Sequence, residues 1–308
     1  MSNPAQILLI GAGELGTAFL PHLSALPNTK VTLGVRTPSK YTQLAGPDVT
    51  LTALDITGPS DELSKTFAQY DIVISATGFG QSAGTVTKLA NEILEAGKLR
   101  KKAKKERLWF FPWQWGVDYD IIGDGEGLMP LFGEQKGVRN LLREKSFESH
   151  VNWTIVSTGI FMSFIFEQFW GIVDREGDQV TMRAFRDWNH KVTVTDVRDI
   201  GKVLARVVAG DVESENQVVY AAGDTVSYGQ LADLVERIME KKVEREKWSI
   251  PHLQAELAKD PDNLIKRYRL VFARDGVWWD KELSANHKLQ IPATNVETYA
   301  RELFGVNQ

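Results

Sequence analysis

Cysteine is absent from this chain of 308 residues, and its absence excludes several chemistries. There can be no disulfide framework, no thiolate nucleophile and no zinc site with cysteine ligands. The five histidines are scattered, and no two have the i,i+4 spacing that places both imidazoles on one helical face. We therefore expect no metal site.

Long apolar runs and a strong net charge are also missing. The longest mostly apolar stretch, residues 153–166, is too short to span a bilayer, and the first residues lack the pattern of a secretory signal. A formal net charge of −4 gives no electrostatic footprint for nucleic acid or an anionic membrane. We expect a soluble, cytoplasmic protein with a small-molecule partner, and the sequence is compatible with a homodimer.

One strong charge block is present, in residues 98–107, which read KLRKKAKKER. A basic patch for nucleic acid would need interleaved aromatic residues or a wider basic face, and neither is visible here. Cations are favoured at the C-terminus of a helix. We therefore interpret the block as the solvated end of a helix that precedes a strand.

Six short apolar runs, rich in β-branched residues, alternate with amphipathic stretches as far as about residue 158. These candidate strands are QILLI, VTLGV, VTLTAL, DIVISA, RLWFF and NWTIVS. Strands that are apolar on both faces and separated by helices indicate a parallel sheet covered by helices. We predict an α/β fold with a doubly wound parallel sheet of Rossmann type.

The rhythm changes after Gly159, where an aromatic segment and short glycine-punctuated pieces begin. We assign residues 1–158 to a dinucleotide-binding domain and residues 159–308 to a smaller C-terminal substrate-binding region. Within that region we predict a helix at 196–209, a strand near QVVYAA and a helix beginning near Ser227. Residues from about 192 to 225 are expected to return to the Rossmann sheet.

A glycine-rich turn follows the first candidate strand in ILLIGAGELGTAF. Gly11 permits the tight turn, Gly13 lets the backbone approach a pyrophosphate, and Gly16 allows close contact between helix and strand. The helix that starts at Glu14 and Leu15 would supply unpaired N–H groups and partial positive charge to the phosphates. The turn therefore predicts a dinucleotide site.

The second strand ends in Arg36, where an NAD-specific site usually carries an acidic residue for the ribose 2′-OH. Arg36, with Thr37, Ser39 and Lys40 behind it, would instead bind a 2′-phosphate through charge-assisted hydrogen bonds. The alternative is a solvated arginine at a strand end. We predict NADP(H) as the cofactor.

A competing motif is G-x-S-x-G in residues 80–84, with Ser82 as a candidate nucleophile. Asp187 and His190 follow in the order that a serine hydrolase of the α/β type requires. However, TGFGQ separates the strand from Ser82, whereas a nucleophile elbow places the serine directly on the turn. We therefore expect Ser82 to be structural.

The chain resembles the NmrA-like / isoflavone reductase-like group of atypical short-chain dehydrogenases/reductases, which includes pinoresinol-lariciresinol and phenylcoumaran benzylic ether reductases. The resemblance follows the group's order over residues 1 to about 225. It is carried by IGAGELGTAF, VTLGVRTPSK, LDITGPSDELSKTFAQYDIVISATG, ANEILEAG, RLWFFPWQWGVD, EQKGVRNLLRE, VTVTDVRDIGKVLARV and NQVVYAAGD.

The resemblance implies an NADPH-dependent reductase of a small, aromatic or secondary-metabolite substrate. Lys136, in GEQKGVRNLL, matches the catalytic lysine of the family and would assist hydride transfer from nicotinamide C4. The further cofactor contacts that it implies are Asp55, Thr77, Gly78, Phe79, Phe111, Pro112, Lys136 and Thr158. The implied substrate contacts are Trp113, Trp115, Gly159, Phe161 and Phe164.

Two departures from related patterns keep a second function open. The family segment FPSEFG is replaced by FPWQWG, so that Gln114 stands where the family has a carboxylate. The ordinary short-chain pair Tyr-x-x-x-Lys is absent, because none of the seven tyrosines has a lysine four places later. The alternative function is an NmrA-like regulatory protein that senses NADP(H) without turnover.

Overall fold

The computed structural model describes residues 4–78, 82–175 and 179–306, which form two compact units. The first unit contains the chain up to Trp115, Glu134–Val156 and Ile200–Val219. The second contains Gly116–Gly133, Ser157–Asp199 and the chain from Tyr220 onward. The units are thus interleaved along the sequence, while the functional division at residue 158 stays a prediction.

The regular elements are numbered in chain order. The strands are β1 (Ala5–Ile10), β2 (Thr29–Val35), β3 (Val49–Ala53), β4 (Ile72–Ser75), β5 (Leu108–Phe111), β6 (Val151–Ser157), β7 (Ile160–Phe161), β8 (Val173–Asp174), β9 (Val180–Phe185), β10 (Lys191–Thr195), β11 (Gln217–Tyr220), β12 (Asp224–Ser227) and β13 (Val243–Trp248). The helices are α1 (Glu14–Ser24), α2 (Ser60–Phe67), α3 (Thr85–Lys102), α4 (Tyr119–Ile122), α5 (Pro130–Lys145), α6 (Met162–Phe166), α7 (Val197–Val208), α8 (Tyr228–Met239), α9 (Ile250–Lys259), α10 (Leu264–Phe272), α11 (Ala285–Lys288) and α12 (Val296–Phe304).

A seven-stranded sheet in the order β11-β6-β5-β4-β1-β2-β3 forms the centre of the first unit. β1 pairs in parallel with β2 and β4, β2 with β3, and β5 with β4 and β6. Strand order reverses between β1 and β4, which is where open α/β sheets bind ligands at the carboxyl ends of their strands. The predicted doubly wound α/β fold is confirmed, and all six candidate strands are present.

The buried strands explain why this sheet is covered by helices. Ile7, Leu8 and Leu9 of β1 are all completely buried, so both faces of the strand are apolar. Leu8 belongs to a core that includes Ile93 of α3 and Phe67 of α2. Burial on both faces is typical of a parallel sheet between two helical layers.

The second unit has two small sheets and an aromatic core. β10 lies between β12 and β7 in one three-stranded sheet, and β9 lies between β13 and β8 in the other. The core includes Trp170, Phe185 and Tyr228, all of them buried. The predicted helices at 196–209 and near Ser227 are present as α7 and α8, and Ser227 caps α8 in a capping box with Gln230.

The prediction that the basic block is solvated is wrong at Arg100. Helix α3 does end inside the block, at Lys102, but Arg100 is only 2% exposed. Its guanidinium donates to the carbonyls of Ala68, Tyr70 and Glu106 and to the Asp71 carboxylate. The five donors of arginine allow burial because several acceptors surround the planar group.

Among the described residues, no helix has the length and apolarity needed to cross a membrane.

Candidate functional site

A cavity of about 450 Å³ opens at the carboxyl ends of β1 to β4; we call it the strand-end cavity. Of the residues predicted from the sequence, it brings together Gly11, Gly13, Arg36, Thr37, Lys40, Asp55 and Thr77. It also includes residues that the sequence did not single out, among them Tyr41, Leu54, Ile56 and Thr57. No local motif marks Tyr41 or Ile56: Tyr41 follows the 3₁₀ helix after β2, and Ile56 follows β3, the strand that pairs with β2.

The three glycines of the turn between β1 and α1 differ in how much space surrounds them. Gly11 has φ +101°, and a Cβ there would lie 2.7 Å from the Ala76 carbonyl oxygen. A Cβ on Gly16 would lie 2.0 Å from the carbonyl oxygen of Gly11, so only glycine lets α1 approach the turn this closely. A Cβ on Gly13 would meet nothing within 4 Å. The fold therefore needs Gly11 and Gly16, while Gly13 leaves open space beside the helix.

The N-terminus of α1 faces this turn without a side-chain cap. Its N-cap residue, Gly13, has no side chain that could accept from the first helical amides, and the Gly13 carbonyl accepts from the Thr17 hydroxyl at 2.8 Å. Glu14 is exposed and Leu15 is buried at the beginning of the helix. An uncapped N-terminus offers N–H groups and partial positive charge to an anion, which fits the pyrophosphate of a dinucleotide.

Two cations lie at the β2 side of the strand-end cavity. Arg36 directly follows β2, and Lys40 ends the short 3₁₀ helix Pro38–Lys40. Both are exposed and both line the cavity with Thr37. A fork of guanidinium donors next to an ammonium suits a phosphate monoester.

Asp55 adds a carboxylate to the same cavity. Its Oδ1 accepts hydrogen bonds from the Thr57 amide at 3.0 Å and from the Thr57 hydroxyl at 2.7 Å. These two bonds lower the pKa of the Asp55 carboxyl, and the charges of Arg36 and Lys88 lower it further. Asp55 is therefore an ionised acceptor at neutral pH, held in a local turn of the kind that aspartate favours.

The residues after β4 and at the end of β5 lie at the same edge of the sheet. Thr77 is half-buried, with its hydroxyl 3.3 Å from that of Ser75, and Gly78 has φ +77°. Phe79 lies outside the described residues. Phe111 and Pro112 are buried at the carboxyl end of β5.

The FPWQWG segment makes internal contacts that account for its glutamine. Gln114 is 1% exposed; its Nε2 donates to the Gln135 carbonyl at 2.8 Å and its Oε1 accepts from Arg139 Nε at 2.8 Å. A carboxylate at this position could accept from Arg139 but could not donate to Gln135. The departure from FPSEFG therefore serves a buried contact that needs an amide.

The two tryptophans of this segment are also buried. Trp115 donates from Nε1 to the Ser75 carbonyl at 2.8 Å, and its ring lies edge-on to Phe19 with centroids 4.7 Å apart. The Trp113 carbonyl accepts from Gln135 Nε2 at 3.0 Å. The predicted contact of Trp113 and Trp115 with substrate stays a prediction.

Lys136 lies on α5, and the two residues before it in the helix are held by hydrogen bonds. Glu134 accepts hydrogen bonds from the amides of Gly84 at 3.2 Å and Thr87 at 3.1 Å, and so caps the N-terminus of α3 from another helix. Gln135 is fixed by the contacts with Trp113 and Gln114. Lys136 is itself half-buried, and its helix is thus positioned from two directions.

Four predicted residues belong to the second unit. The amides of Thr158 and Gly159 both donate to the Gly116 carbonyl, at 2.8 and 3.0 Å. Gly159 has φ +71°, and a Cβ there would lie 2.1 Å from the Thr193 carbonyl oxygen, so the position requires glycine. Phe161 and Phe164 are half-buried and pack edge to face, with ring centroids 6.1 Å apart.

The serine motif has no hydrolase geometry in the residues that the structure describes. Ser82 is exposed and its carbonyl accepts from Thr85 at the start of α3, while Gly80 and Gln81 lie outside the description. His190 Nε2 lies 2.9 Å from the Phe272 carbonyl. The Asp187 carboxylate accepts from backbone amides, including that of His190. Both candidate triad partners are therefore used inside the second unit.

Comparison with known proteins supplies a family. The sequence model of the NmrA-like family matches residues 4–277. The chain belongs to the NmrA-like family. This NmrA-like protein is 39% identical over 313 residues to an NmrA-like family domain-containing oxidoreductase of Gibberella moniliformis (strain M3125 / FGSC 7600), covering 97% of this chain and 98% of that protein.

Two further similarities place the NmrA-like chain near known reductases. It is 27% identical over 189 residues to phenylcoumaran benzylic ether reductase Betv6 of Betula pendula, covering 60% of this chain and 56% of the relative. It shares its fold with an NADPH-dependent quinone oxidoreductase of Escherichia coli crystallised with NADPH, at 18% identity, coverage of 97% and 99%, and a TM-score of 0.73. The resemblance read from the sequence is confirmed.

Across the described ranges, no three His, Asp or Glu side chains cluster to hold a metal ion.

Proposed function

We propose that this protein is an NADPH-dependent reductase of a small aromatic substrate. The strand-end cavity is the observation that carries the proposal, because it joins an uncapped helix N-terminus to Arg36 and Lys40 at the end of β2. An NAD site would carry an acidic residue at the position of Arg36. The oxidoreductase named among the relatives and the NADPH complex with the same fold support this assignment.

The residues of the first unit divide between the two ends of the cofactor. Gly11, Gly13 and the start of α1 would face the pyrophosphate. Arg36, Thr37 and Lys40 would bind the 2′-phosphate. Asp55 would accept a hydrogen bond from the adenine amino group. Thr77 and the residues that follow would lie along the chain of the cofactor toward its nicotinamide.

Bound NADPH supplies a hydride from nicotinamide C4 to an electrophilic carbon of the substrate. The Lys136 ammonium would provide the proton or the positive charge that balances the hydride, acting at Nζ as a general acid. This role of Lys136, like the substrate contacts of Phe161 and Phe164, follows from the family resemblance and is proposed on that basis.

The 2′-phosphate assignment predicts a preference that can be measured. Fluorescence titration should give a lower Kd for NADPH than for NADH. Arg36→Ala should weaken NADPH by about tenfold or more, since hydrogen bonds to charged groups contribute roughly 1.5–3 kcal/mol. The same variant should leave NADH almost unchanged.

Arg206→Ala is the matched control. Arg206 is an exposed arginine on α7 in the first unit, and it pairs with Asp211 in the loop that follows this helix. The Arg206 variant should alter neither Kd. Equal affinities of the wild type for NADPH and NADH would contradict the assignment, as would an Arg36 variant that loses both cofactors equally.

A further inference from the structure

Lys88 of α3 makes three contacts with one ammonium group. Nζ donates to the carbonyl of Ile56 at 3.0 Å, to the carbonyl of Gly58 at 2.9 Å and to the Glu92 carboxylate one helical turn later. An ammonium has three donors. All of them are therefore engaged, and two bind the backbone of a segment about thirty residues away in sequence.

That segment, residues 54–58, is a wall of the strand-end cavity. Leu54, Asp55, Ile56 and Thr57 all line the cavity. Asp55 is oriented by its bonds to Thr57, and its pKa is lowered in part by the Lys88 charge. Lys88 thus fixes the backbone on either side of Thr57, directly beside the carboxylate of the cavity.

Glu92, the carboxylate that pairs with Lys88, is buried, and burying its charge costs free energy. Glu92 is 3% exposed, and within the described part of the chain its Oε2 has no hydrogen-bond partner. A buried charge of this kind contributes little net stability, and a packed apolar pair of similar volume often replaces it without loss. The ion pair is therefore poorly explained by stability alone, whereas its bonds to the loop carbonyls give it a specific use.

We propose that Lys88 is a positioning residue for the adenosine end of the cofactor, acting through the carbonyls of Ile56 and Gly58. The inference rests on the proposed cofactor site and deepens it. Without the ammonium, both carbonyls lose their charged donor and the 54–58 segment no longer holds Asp55 in place. Affinity for the adenosine half then falls, while affinity for the nicotinamide half does not change.

The main variant is Lys88→Met/Glu92→Met, which removes one charge of each sign and leaves no unpaired carboxylate in the core. Calorimetry would measure the Kd of adenosine 2′,5′-bisphosphate, and fluorescence would measure the Kd of reduced nicotinamide mononucleotide. The bisphosphate should bind about tenfold more weakly, on the scale of two lost charge-assisted hydrogen bonds. The mononucleotide should bind as it does to wild type, and the melting temperature should stay close to the wild-type value.

Two controls separate positioning from a general loss of charge or stability. Glu92→Met keeps the bonds from Lys88 to both carbonyls and should bind the bisphosphate within twofold of wild type. Lys98→Met removes an exposed lysine of the same helix, which pairs with Glu95 at 3.0 Å, and should change neither Kd.

The absence of cysteine permits a chemical rescue at this position. Lys88→Cys would place the only thiol of the chain at a side chain that is 33% exposed in the native lysine. Alkylation with 2-bromoethylamine would rebuild an ammonium of lysine length. Affinity for the bisphosphate should be low before alkylation. It should return to within about threefold of wild type afterwards, because the new ammonium restores the hydrogen bonds to the two carbonyls.

Bisphosphate binding by the Lys88→Met/Glu92→Met variant within twofold of wild type would overturn the inference, and so would an equal weakening of both cofactor halves. Failure of alkylation to restore affinity in Lys88→Cys would overturn it independently of the double variant. A wild-type protein that binds neither NADPH nor the bisphosphate would instead refute the proposed cofactor site, and this inference with it.

Discussion

Lys136 is the residue on which turnover is proposed to depend, and its neighbours Glu134 and Gln135 are committed to structural contacts. Lys136→Met keeps an unbranched side chain of similar length, so the fold and the Kd of NADPH should change little. Turnover should fall by about 10²-fold or more, the usual scale for a lost general acid. The assay is NADPH consumption with a panel of aromatic enones, imines and benzylic ethers.

Lys145→Met, at the exposed end of the same helix, is the control and should keep the wild-type rate. Full activity of the Lys136 variant would remove this lysine from the mechanism. Tight NADPH binding without consumption of any substrate by the wild type would favour the NADP(H)-sensing function.

Individual residues differ in how far the sequence reveals their roles. The roles of Gly11 and Arg36 could be predicted because each residue comes directly after a strand that is visible in the sequence. In the sequence Lys88 and Glu92 have only the i,i+4 spacing of an ordinary helical ion pair, because the role of Lys88 depends on the carbonyls of residues 56 and 58. From the sequence alone Gln114 is a glutamine in place of the family's carboxylate, and only the position of Gln135 shows that an amide donor is needed there.

The turn between β1 and α1 offers a matched pair of substitutions. Gly16→Ala should destabilise the protein by several kcal/mol, because the new Cβ would lie 2.0 Å from the Gly11 carbonyl oxygen and overpacking at such contacts costs about 1–3 kcal/mol or more. Gly13→Ala should destabilise the protein by only about 1 kcal/mol, because alanine is a poorer N-cap residue than glycine but its Cβ would meet nothing within 4 Å. The same variant should weaken NADPH strongly, since the methyl group occupies the space for the pyrophosphate.

Urea denaturation and NADPH titration of both variants would test the pair. A Gly13→Ala protein that binds NADPH as tightly as wild type would show that the phosphates do not approach this turn. A Gly16→Ala protein as stable as wild type would contradict the close contact between α1 and the turn.

The elements themselves were predictable where burial imposes a simple pattern. β1 and β4 are short apolar runs because both of their faces are covered, and such runs are visible in a single sequence. The end of α3 was visible as a basic block, but the burial of Arg100 was not. Its acceptors belong to segments near residues 68–71 and 106, which only the folded sheet brings together.

For the molecule as a whole, the buried His190 makes stability depend on pH. Burial lowers the pKa of this imidazole below its ordinary 6.5. The unfolded chain then binds a proton more readily than the folded one, so the free energy of unfolding falls as the pH drops from 6.5 through the folded-state pKa. His190→Gln should flatten this dependence between pH 7 and pH 5 in urea denaturation. His287→Gln, at an exposed histidine, should retain the wild-type slope; an unchanged slope in the His190 variant would contradict the assignment.

Because the two units are interleaved along the sequence, the order of synthesis leaves one strand edge temporarily unpaired, and truncation would leave it unpaired for good. The first unit needs three separate stretches, the last of them Ile200–Val219. A ribosome therefore releases β6 long before β11, the strand that pairs with its outer edge, has been synthesised. Until then the edge of β6 presents unpaired N–H and C=O groups, which are a template for pairing with another chain. A fragment that stops at residue 158 would retain that open edge permanently, so the cofactor site is best studied in the intact chain.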